Sequence, residues 1–256
     1  MSKLVDFLED VKKNKKDFLD ADDGEQCEKL FSERLSEYFA DMTSTTDKSI
    51  RKFKKTIKDS VLNKERSNVV DNTLYSSNPE NESYKNYFIY QPYGSQNYPD
   101  FLVVTEYKVF AVEIKYSAKS APKPMWNSNL PKEDGIYIFG CKGLKKLIIF
   151  RGGDILPSKE REALLQIWKD LEKKKDELVL NFKNRIESEE FENAFGFEPY
   201  LRHAFQQTQT TNDDAIINYF DNPSKSSLEK KAIDFVRKTD QAKKATSRAS
   251  TAKKKK

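Results

Sequence analysis

The sequence predicts an α/β fold in which helices flank a central mixed β-sheet of about four or five strands. The first observation behind this prediction is a set of short apolar, β-prone runs bounded by polar turns, at residues 87–90, 98–104, 109–115, 135–140 and 146–150. The second is helical periodicity in the longer stretches around those runs. Because the 256 residues are enough for one large domain with helical additions, we assign residues 1–240 to a single domain.

Four stretches show helical periodicity. Residues 1–19, 25–42 and 43–68 carry apolar residues at helical spacing, and a long helix is expected to open at Pro157. Proline suits the first turn of a helix because its missing N–H has no intrahelical partner there. The stretch 43–68 is basic, so its charged face is either an ordinary solvated surface or a face that lies along phosphates.

The positive charge of the chain is concentrated at its C-terminal end. The net charge is +5, but residues 241–256 contain seven basic and no acidic residues, which leaves 39 basic and 41 acidic residues before them. A segment rich in Ala, Ser, Thr and Lys without core residues predicts a disordered tail. The tail either adds nonspecific DNA affinity or serves as a solubilising end. DNA binding by residues 1–240 would require a localised basic cleft.

Composition disfavours several classes of protein. No run approaches the roughly 20 apolar residues of a membrane span, and no signal peptide is expected after Met1. Cys27 and Cys141 stand at no metal-ligand spacing, which favours a reducing, cytoplasmic location. The chain has one histidine, His203, and no glycine-rich phosphate loop. Nucleases that use paired histidines and phosphate-loop enzymes are therefore poor candidates.

Charged residues interrupt two of the most apolar runs of the chain. A polar turn at 106–107 separates these runs, so they predict a β-hairpin. A two-residue loop at that turn places Asp100 directly opposite Glu113, and strand periodicity puts Lys115 on the same face as Glu113. A three-residue loop or a bulge would shift this register by one residue.

The opposed carboxylates of Asp100 and Glu113 predict a metal site. Buried charges are costly unless they are paired or bind a metal, and oxygen ligands of this kind suit Mg²⁺. The chemistry that fits is metal-assisted hydrolysis of a phosphodiester, in which Lys115 holds or deprotonates water and offsets developing charge. The alternative is a solvated hairpin in which Lys115 simply pairs with Glu113. Apolar residues on both faces of the hairpin predict that other elements cover it on both sides, which favours the metal site over the solvated hairpin.

At these residues the sequence resembles the PD-(D/E)xK nuclease superfamily, especially type II restriction endonucleases. The pair Pro99-Asp100 matches the PD of that motif, and Glu113-Ile114-Lys115 matches its (D/E)xK element 13 positions later. The resemblance implies a restriction-endonuclease-like fold, with Asp100 and Glu113 as magnesium ligands and Lys115 as the catalytic lysine. It also implies a glutamate on the helix before the hairpin. Glu28 is the first candidate for that residue and Glu25 the second, although a first-turn glutamate also stabilises a helix without any metal.

Candidate DNA contacts lie in two regions. The first is the Pro-rich loop after the motif, where Ser117, Lys119, Asn127 and Asn129 are suited to phosphates or base edges, unless this loop only packs Trp126 on the core. The second is the C-terminal region, where Arg202 and Gln206 are candidates and ordinary helix-surface polarity is the alternative.

The resulting hypothesis is a magnesium-dependent, site-specific endodeoxyribonuclease that acts on double-stranded DNA as a homodimer. Two hypotheses compete with it. One is a repair or junction-resolving nuclease with the same motif, and the other is a DNA-binding or structural protein without enzymatic activity.

Overall fold

The computed structural model describes residues 2–59, 69–71, 85–126, 130–189, 205 and 218–252. These residues contain seven strands of one mixed sheet: β1 (Ala40–Asp41), β2 (Val69–Asp71), β3 (Tyr87–Tyr90), β4 (Phe101–Val104), β5 (Lys108–Ser117), β6 (Ile136–Cys141) and β7 (Lys146–Arg151). The strand order is β1-β3-β4-β5-β6-β7, and β2 pairs with the first part of β5. The β1–β3 and β5–β6 pairs are parallel and the other pairs are antiparallel.

Helices pack on both faces of this sheet. The helices in the described residues are α1 (Lys3–Lys13), α2 (Lys16–Leu19), α3 (Gly24–Ser36), α4 (Lys48–Ile57), α5 (Gly152–Ile155), α6 (Ser158–Glu189) and α7 (Asn222–Ala252). The predicted α/β class is therefore confirmed, with more strands than expected. None of the described helices is both long and apolar enough to cross a membrane.

The β4–β5 hairpin is covered on both faces. On one face, Phe101, Val103, Phe110 and Val112 pack in a core with α1, α3 and α7. On the other face, a second core joins the hairpin to α4 through Leu102, Val104, Val109, Ala111, Ile50, Phe53 and Ile57. Burying one such side chain contributes about 1.5–3 kcal/mol. The alternation of apolar residues predicted both surfaces correctly.

A third core lies on the sheet face that α4 partly covers. It contains Tyr137 and Phe139 of β6, Ile148 and Phe150 of β7, Trp126, and Leu228 of α7. Tyr98 packs against both this core and the α4 core. The hairpin end that carries the charged residues therefore lies where these two cores meet.

Two strands formed where the sequence did not predict them. The predicted helix 25–42 ends at Ser36, and Ala40–Asp41 pair in parallel with Tyr87–Phe88 of β3. Val69–Asp71, which lie outside the predicted strand runs, pair with β5. Both strands are short and depend on partners distant in sequence, so periodicity within a local window cannot detect them.

The predicted helices differ from the observed ones mainly at their ends. The helix expected over 1–19 breaks after Lys13, where the Asn14 side chain donates to Asp10 Oδ1 over 2.6 Å. The basic helix begins at Lys48 because Asp47 caps it and accepts from Ser49 N over 2.7 Å. Its expected C-terminal part, residues 60–68, lies outside the described residues.

The C-terminal segment is helical where we expected disorder. Helix α7 passes residue 241 and continues to Ala252, so the expected boundary falls inside a helix. Adding residues to an existing helix avoids the cost of nucleation, and Ala, Lys, Gln and Arg are good helix formers. Residues 253–256 lie outside the described part of the chain.

Candidate active site

The register of the β4–β5 hairpin is the one that the sequence predicted. Phe101 pairs with Val112, and the pairing continues without a bulge to Val104 and Val109. Thr105 N donates to Lys108 O over 2.8 Å, which closes the two-residue loop. Asp100 and Glu113 extend this register by one position and lie at the open end of the hairpin.

The two carboxylates are held by hydrogen bonds across the hairpin. Asp100 N donates to Glu113 Oε2 over 3.1 Å, and Ile114 N donates to Asp100 Oδ2 over 2.7 Å. Asp100 is 9% exposed and Glu113 is 8% exposed. Each carboxylate is thus oriented by the backbone of the opposite strand, which leaves both side chains little freedom to reorient.

The environment of Asp100 makes its carboxylate costly to ionise. Burial raises the pKa of Asp100 well above its usual value, and the charges of Glu113 and Glu28 raise it further. Hydrogen bonding from Ile114 N and the charge of Lys115 oppose this rise without cancelling it. The site therefore carries excess negative potential that an added cation would relieve.

Lys115 supplies one positive charge to this site. Its Nζ lies 2.7 Å from Glu113 Oε1 and 5.8 Å from the centroid of the Trp126 ring. Burial lowers the pKa of Lys115, but the charges of Glu113, Asp100 and Glu28 outweigh burial, so the net pKa is raised. Lys115 is accordingly protonated at neutral pH and acts as a hydrogen-bond donor to anionic groups.

Glu28, the first candidate for the additional glutamate, lies in this site. Its Oε2 accepts hydrogen bonds from Tyr90 Oη over 3.0 Å and from Gln91 Nε2 over 3.2 Å. Burial raises the pKa of Glu28 despite these two hydrogen bonds, and the charge of Glu113 adds to the rise. Glu25, the second candidate, is instead exposed and pairs with Lys29 over 2.8 Å.

The charged residues line a cleft of about 270 Å³. Glu28, Asp100, Glu113 and Lys115 contribute its polar groups. Its walls come from the turn before β4, from the Pro-rich loop and from β6. The lining residues include Ser95, Gln96, Asn97, Tyr98, Trp126 and Tyr137. A cleft of this kind admits one phosphate-sized group next to the carboxylates.

The donor set fits a hard divalent cation, although the carboxylates are now engaged elsewhere. Among the described residues, no group of three or more His, Cys, Asp or Glu side chains is arranged to hold a metal ion. Glu113 bonds to Lys115 and to Asp100 N, and Glu28 bonds to Tyr90. A divalent cation held by these carboxylates would take the place of the Lys115 ammonium group beside Glu113.

The candidate DNA contacts are only partly within the described residues. Ser117 Oγ donates to Lys119 O over 2.9 Å, so its hydroxyl closes a turn, and neither residue is among those lining the cleft. The Lys119 side chain is exposed. Asn127, Asn129, Arg202 and Gln206 lie outside the described residues, but Trp126 and Leu130, which flank the two asparagines, do line the cleft.

Sequence reasoning missed the residues that hold Glu28 and form the cleft wall. Tyr90 is predicted only as the end of the strand at residues 87–90, and Gln91 has no predicted role in the site, yet both side chains donate hydrogen bonds to Glu28. Tyr98 belongs to the predicted run at residues 98–104 without a predicted role in the site, yet it packs between two cores and lines the cleft. The signal available was the density of Tyr, Gln and Asn immediately before Asp100.

Comparisons of the chain with protein-family models, with curated proteins and with solved structures find no match. The functional conclusion therefore depends on the chemistry and geometry of the cleft.

Proposed function

We propose that the chain is a magnesium-dependent, site-specific endodeoxyribonuclease of type II restriction character that hydrolyses phosphodiester bonds of double-stranded DNA. The observation that carries the proposal is the placement of Asp100 and Glu113 across one hairpin end, with Lys115 2.7 Å from Glu113. Asp100, Glu113 and Lys115, the charged residues of the PD-(D/E)xK resemblance, line one cleft, as such an activity requires. An enzyme of this kind acts on intracellular DNA, so we place it in the cytoplasm.

The residues of the cleft have separate tasks in this mechanism. Asp100 and Glu113 would hold Mg²⁺, with Glu28 as a further oxygen donor nearby. When bound there, the ion would polarise a phosphoryl oxygen and activate water. Lys115, released from Glu113, donates to a nonbridging phosphate oxygen and offsets the charge that develops there. Tyr90 and Gln91 orient Glu28 through the hydrogen bonds described above.

A supercoiled plasmid incubated with the protein and Mg²⁺ tests this proposal. Discrete linear fragments that disappear when the metal is chelated are the expected result. Random degradation, or cutting confined to junctions and other unusual structures, would favour a repair or junction-resolving nuclease. If the folded protein does not cleave the plasmid with any divalent metal, the result would favour a DNA-binding or structural protein without enzymatic activity.

Glu28 provides a prediction about the metal. Glu28→Gln keeps the size of the side chain and an acceptor for Tyr90 but removes one negative charge from the cleft. We expect a higher Mg²⁺ concentration for half-maximal cleavage, because an anionic oxygen ligand is replaced by a neutral one. The matched control is Glu25→Gln, which removes the same charge from an exposed position of the same helix. Identical Mg²⁺ dependence in both variants would show that Glu28 stabilises the helix and does not bind the metal.

The proposed homodimer has a candidate interface on α6. Leu164, Leu171 and Leu178 recur every seven residues, and Leu171 is 47% and Leu178 is 69% exposed. Phe182, four residues after Leu178, is also exposed. Heptad spacing of apolar residues suits packing against a second helix. A symmetric dimer would also provide two copies of the site, one for each strand of the duplex.

Sedimentation of a double variant checks this interface. Leu171→Glu with Leu178→Glu is expected to convert a dimer into a monomer, because it places charges in an apolar helix contact. Gln166→Glu with Asn184→Glu adds the same charge on exposed positions of α6 outside the leucine repeat and serves as the control. A wild-type chain that sediments as a monomer with and without DNA would refute the dimer.

A further inference from the structure

The exposed surface of α4 is strongly basic. Between Asp47 and Asp59 there are six basic residues and no acidic ones. Five of the six are exposed, namely Lys48, Arg51, Lys52, Lys55 and Lys58. None of these five has an ion pair with a carboxylate among the described residues. This set, which we call the α4 basic face, is therefore a positive surface without ion-pair partners in the part of the chain that the structure describes.

The α4 basic face is one continuous stripe. At 100° per residue, its five members fall within one third of the helix circumference, opposite Ile50, Phe53 and Ile57. Those three apolar residues are buried against the sheet. From Lys48 to Lys58 the stripe is about 15 Å long, which corresponds to roughly four base-pair steps of rise along the axis of a DNA duplex.

Tyr93 connects α4 to the wall of the cleft. Its hydroxyl donates to Lys54 O over 2.9 Å, and Lys58 Nζ lies 5.5 Å from the centroid of its ring. Asn97 Nδ2 donates to Tyr93 O over 2.8 Å, and Asn97 itself lines the cleft. The C-terminal end of α4 therefore adjoins the turn that forms one side of the candidate active site.

The sheet also places both features on the same side. Leu102, Val104 and Ala111 face α4, and strand periodicity puts Glu113 and Lys115 of β5 on that face. A rigid polyanion with one phosphate group in the cleft could thus extend across α4. The acidic cleft and the basic helix have opposite charges, as expected where one surface holds a cation and the other holds phosphates.

We propose that the α4 basic face binds the phosphate backbone of duplex DNA flanking the group held in the cleft. This inference rests on the proposed nuclease function and adds the surface that supplies affinity without sequence preference. An anionic membrane is a poorer partner, because the apolar residues of α4 are buried in the core and none remains to insert between lipids.

The test compares two triple variants of the full chain. Arg51→Gln, Lys52→Gln and Lys55→Gln remove three charges from the α4 basic face. Lys13→Gln, Lys15→Gln and Lys16→Gln remove three exposed charges where α1 joins α2, helices that pack on the opposite face of the sheet. Glutamine retains helix propensity, and all six positions are exposed, so both proteins are expected to fold, as circular dichroism and thermal melting would verify.

Binding is measured by fluorescence anisotropy with a labelled DNA duplex, in buffer without divalent metal and again with calcium. We expect the α4 variant to lose affinity on the order of tenfold or more near 0.1 M salt. The magnitude of its salt slope should fall by about 0.9 for each phosphate that the variant no longer neutralises. The control variant should match the wild type in both affinity and slope.

The remaining outcomes separate this inference from the proposed function. Unchanged DNA affinity in the α4 variant, with normal cleavage by the wild type, would overturn the inference and leave the nuclease intact. Equal losses in both variants would show that only net charge matters and would also overturn it. If the wild type binds no duplex, both proposals fail. Loss of binding to anionic phospholipid vesicles, with DNA binding unchanged, would make α4 a membrane surface instead.

Discussion

Asp100→Asn and Glu113→Gln are each expected to abolish Mg²⁺-dependent DNA cleavage while the protein remains folded. Each change replaces an anionic oxygen of the proposed metal site by a neutral amide. The remaining amide oxygen can still accept the hydrogen bonds from Ile114 N and Asp100 N, which preserves the hairpin end. Single-turnover cleavage by the purified variants at saturating Mg²⁺ is the measurement. Wild-type rates in either variant would show that these carboxylates do not hold the catalytic metal.

The same substitution at Asp100 should raise stability in the absence of metal. Because burial and the neighbouring carboxylates raise the pKa of Asp100 to about 9 in the folded state, the folded protein keeps a proton at neutral pH that the unfolded chain has lost, and this difference lowers the stability of the wild type. This cost is absent below the usual pKa of an aspartate and grows as the pH rises towards the folded-state value. Thermal melts of Asp100→Asn and wild type should therefore diverge with increasing pH and converge in acid. If Asp100→Asn is less stable than the wild type at pH 8, the raised pKa of Asp100 does not lower the stability of the folded protein, and this prediction is wrong.

Lys115→Met is expected to lower the cleavage rate at least about 100-fold, which is the order of effect of removing one charge-stabilising donor. Methionine retains much of the aliphatic length that packs near Trp126 but has no positive charge. Duplex binding in calcium should largely persist, since one phosphate-directed charge is a small part of total affinity.

The control for this change is Lys146→Met, which removes an exposed lysine at the start of β7, at the far end of the β6–β7 pair from the cleft. Its cleavage rate and DNA affinity should equal those of the wild type. If Lys115→Met cuts DNA normally but binds it poorly, Lys115 is a binding residue and the proposed mechanism is wrong.

The hairpin was predictable because its determinants are local. The two apolar runs, the polar turn and strand periodicity fixed which residue faces which, so Asp100 and Glu113 could be paired without a structure. The buried environment of the charges followed from apolar residues on both faces of the strands. These features need no information from distant parts of the chain.

Other features depended on contacts between segments far apart in sequence. Sequence alone could not show that Glu28 rather than Glu25 lies in the cleft. The position of the Glu28 side chain depends on hydrogen bonds from Tyr90 and Gln91, which are more than 60 positions later in the chain. Strand β1 likewise exists only through its pairing with β3. The orientation of the basic helix towards the cleft follows from its contact with Tyr93, which helical periodicity does not reveal.

The placement of the metal is the most direct test of the proposed site. Crystals of the wild-type protein grown with Mn²⁺ and a DNA duplex allow the ion to be located by its anomalous scattering. We expect a peak coordinated by carboxylate oxygens of Asp100 and Glu113, with Lys115 Nζ moved away from Glu113 towards a phosphate oxygen. A cleft in which Lys115 still pairs with Glu113 and no ion is bound at saturating Mn²⁺ would contradict the proposal.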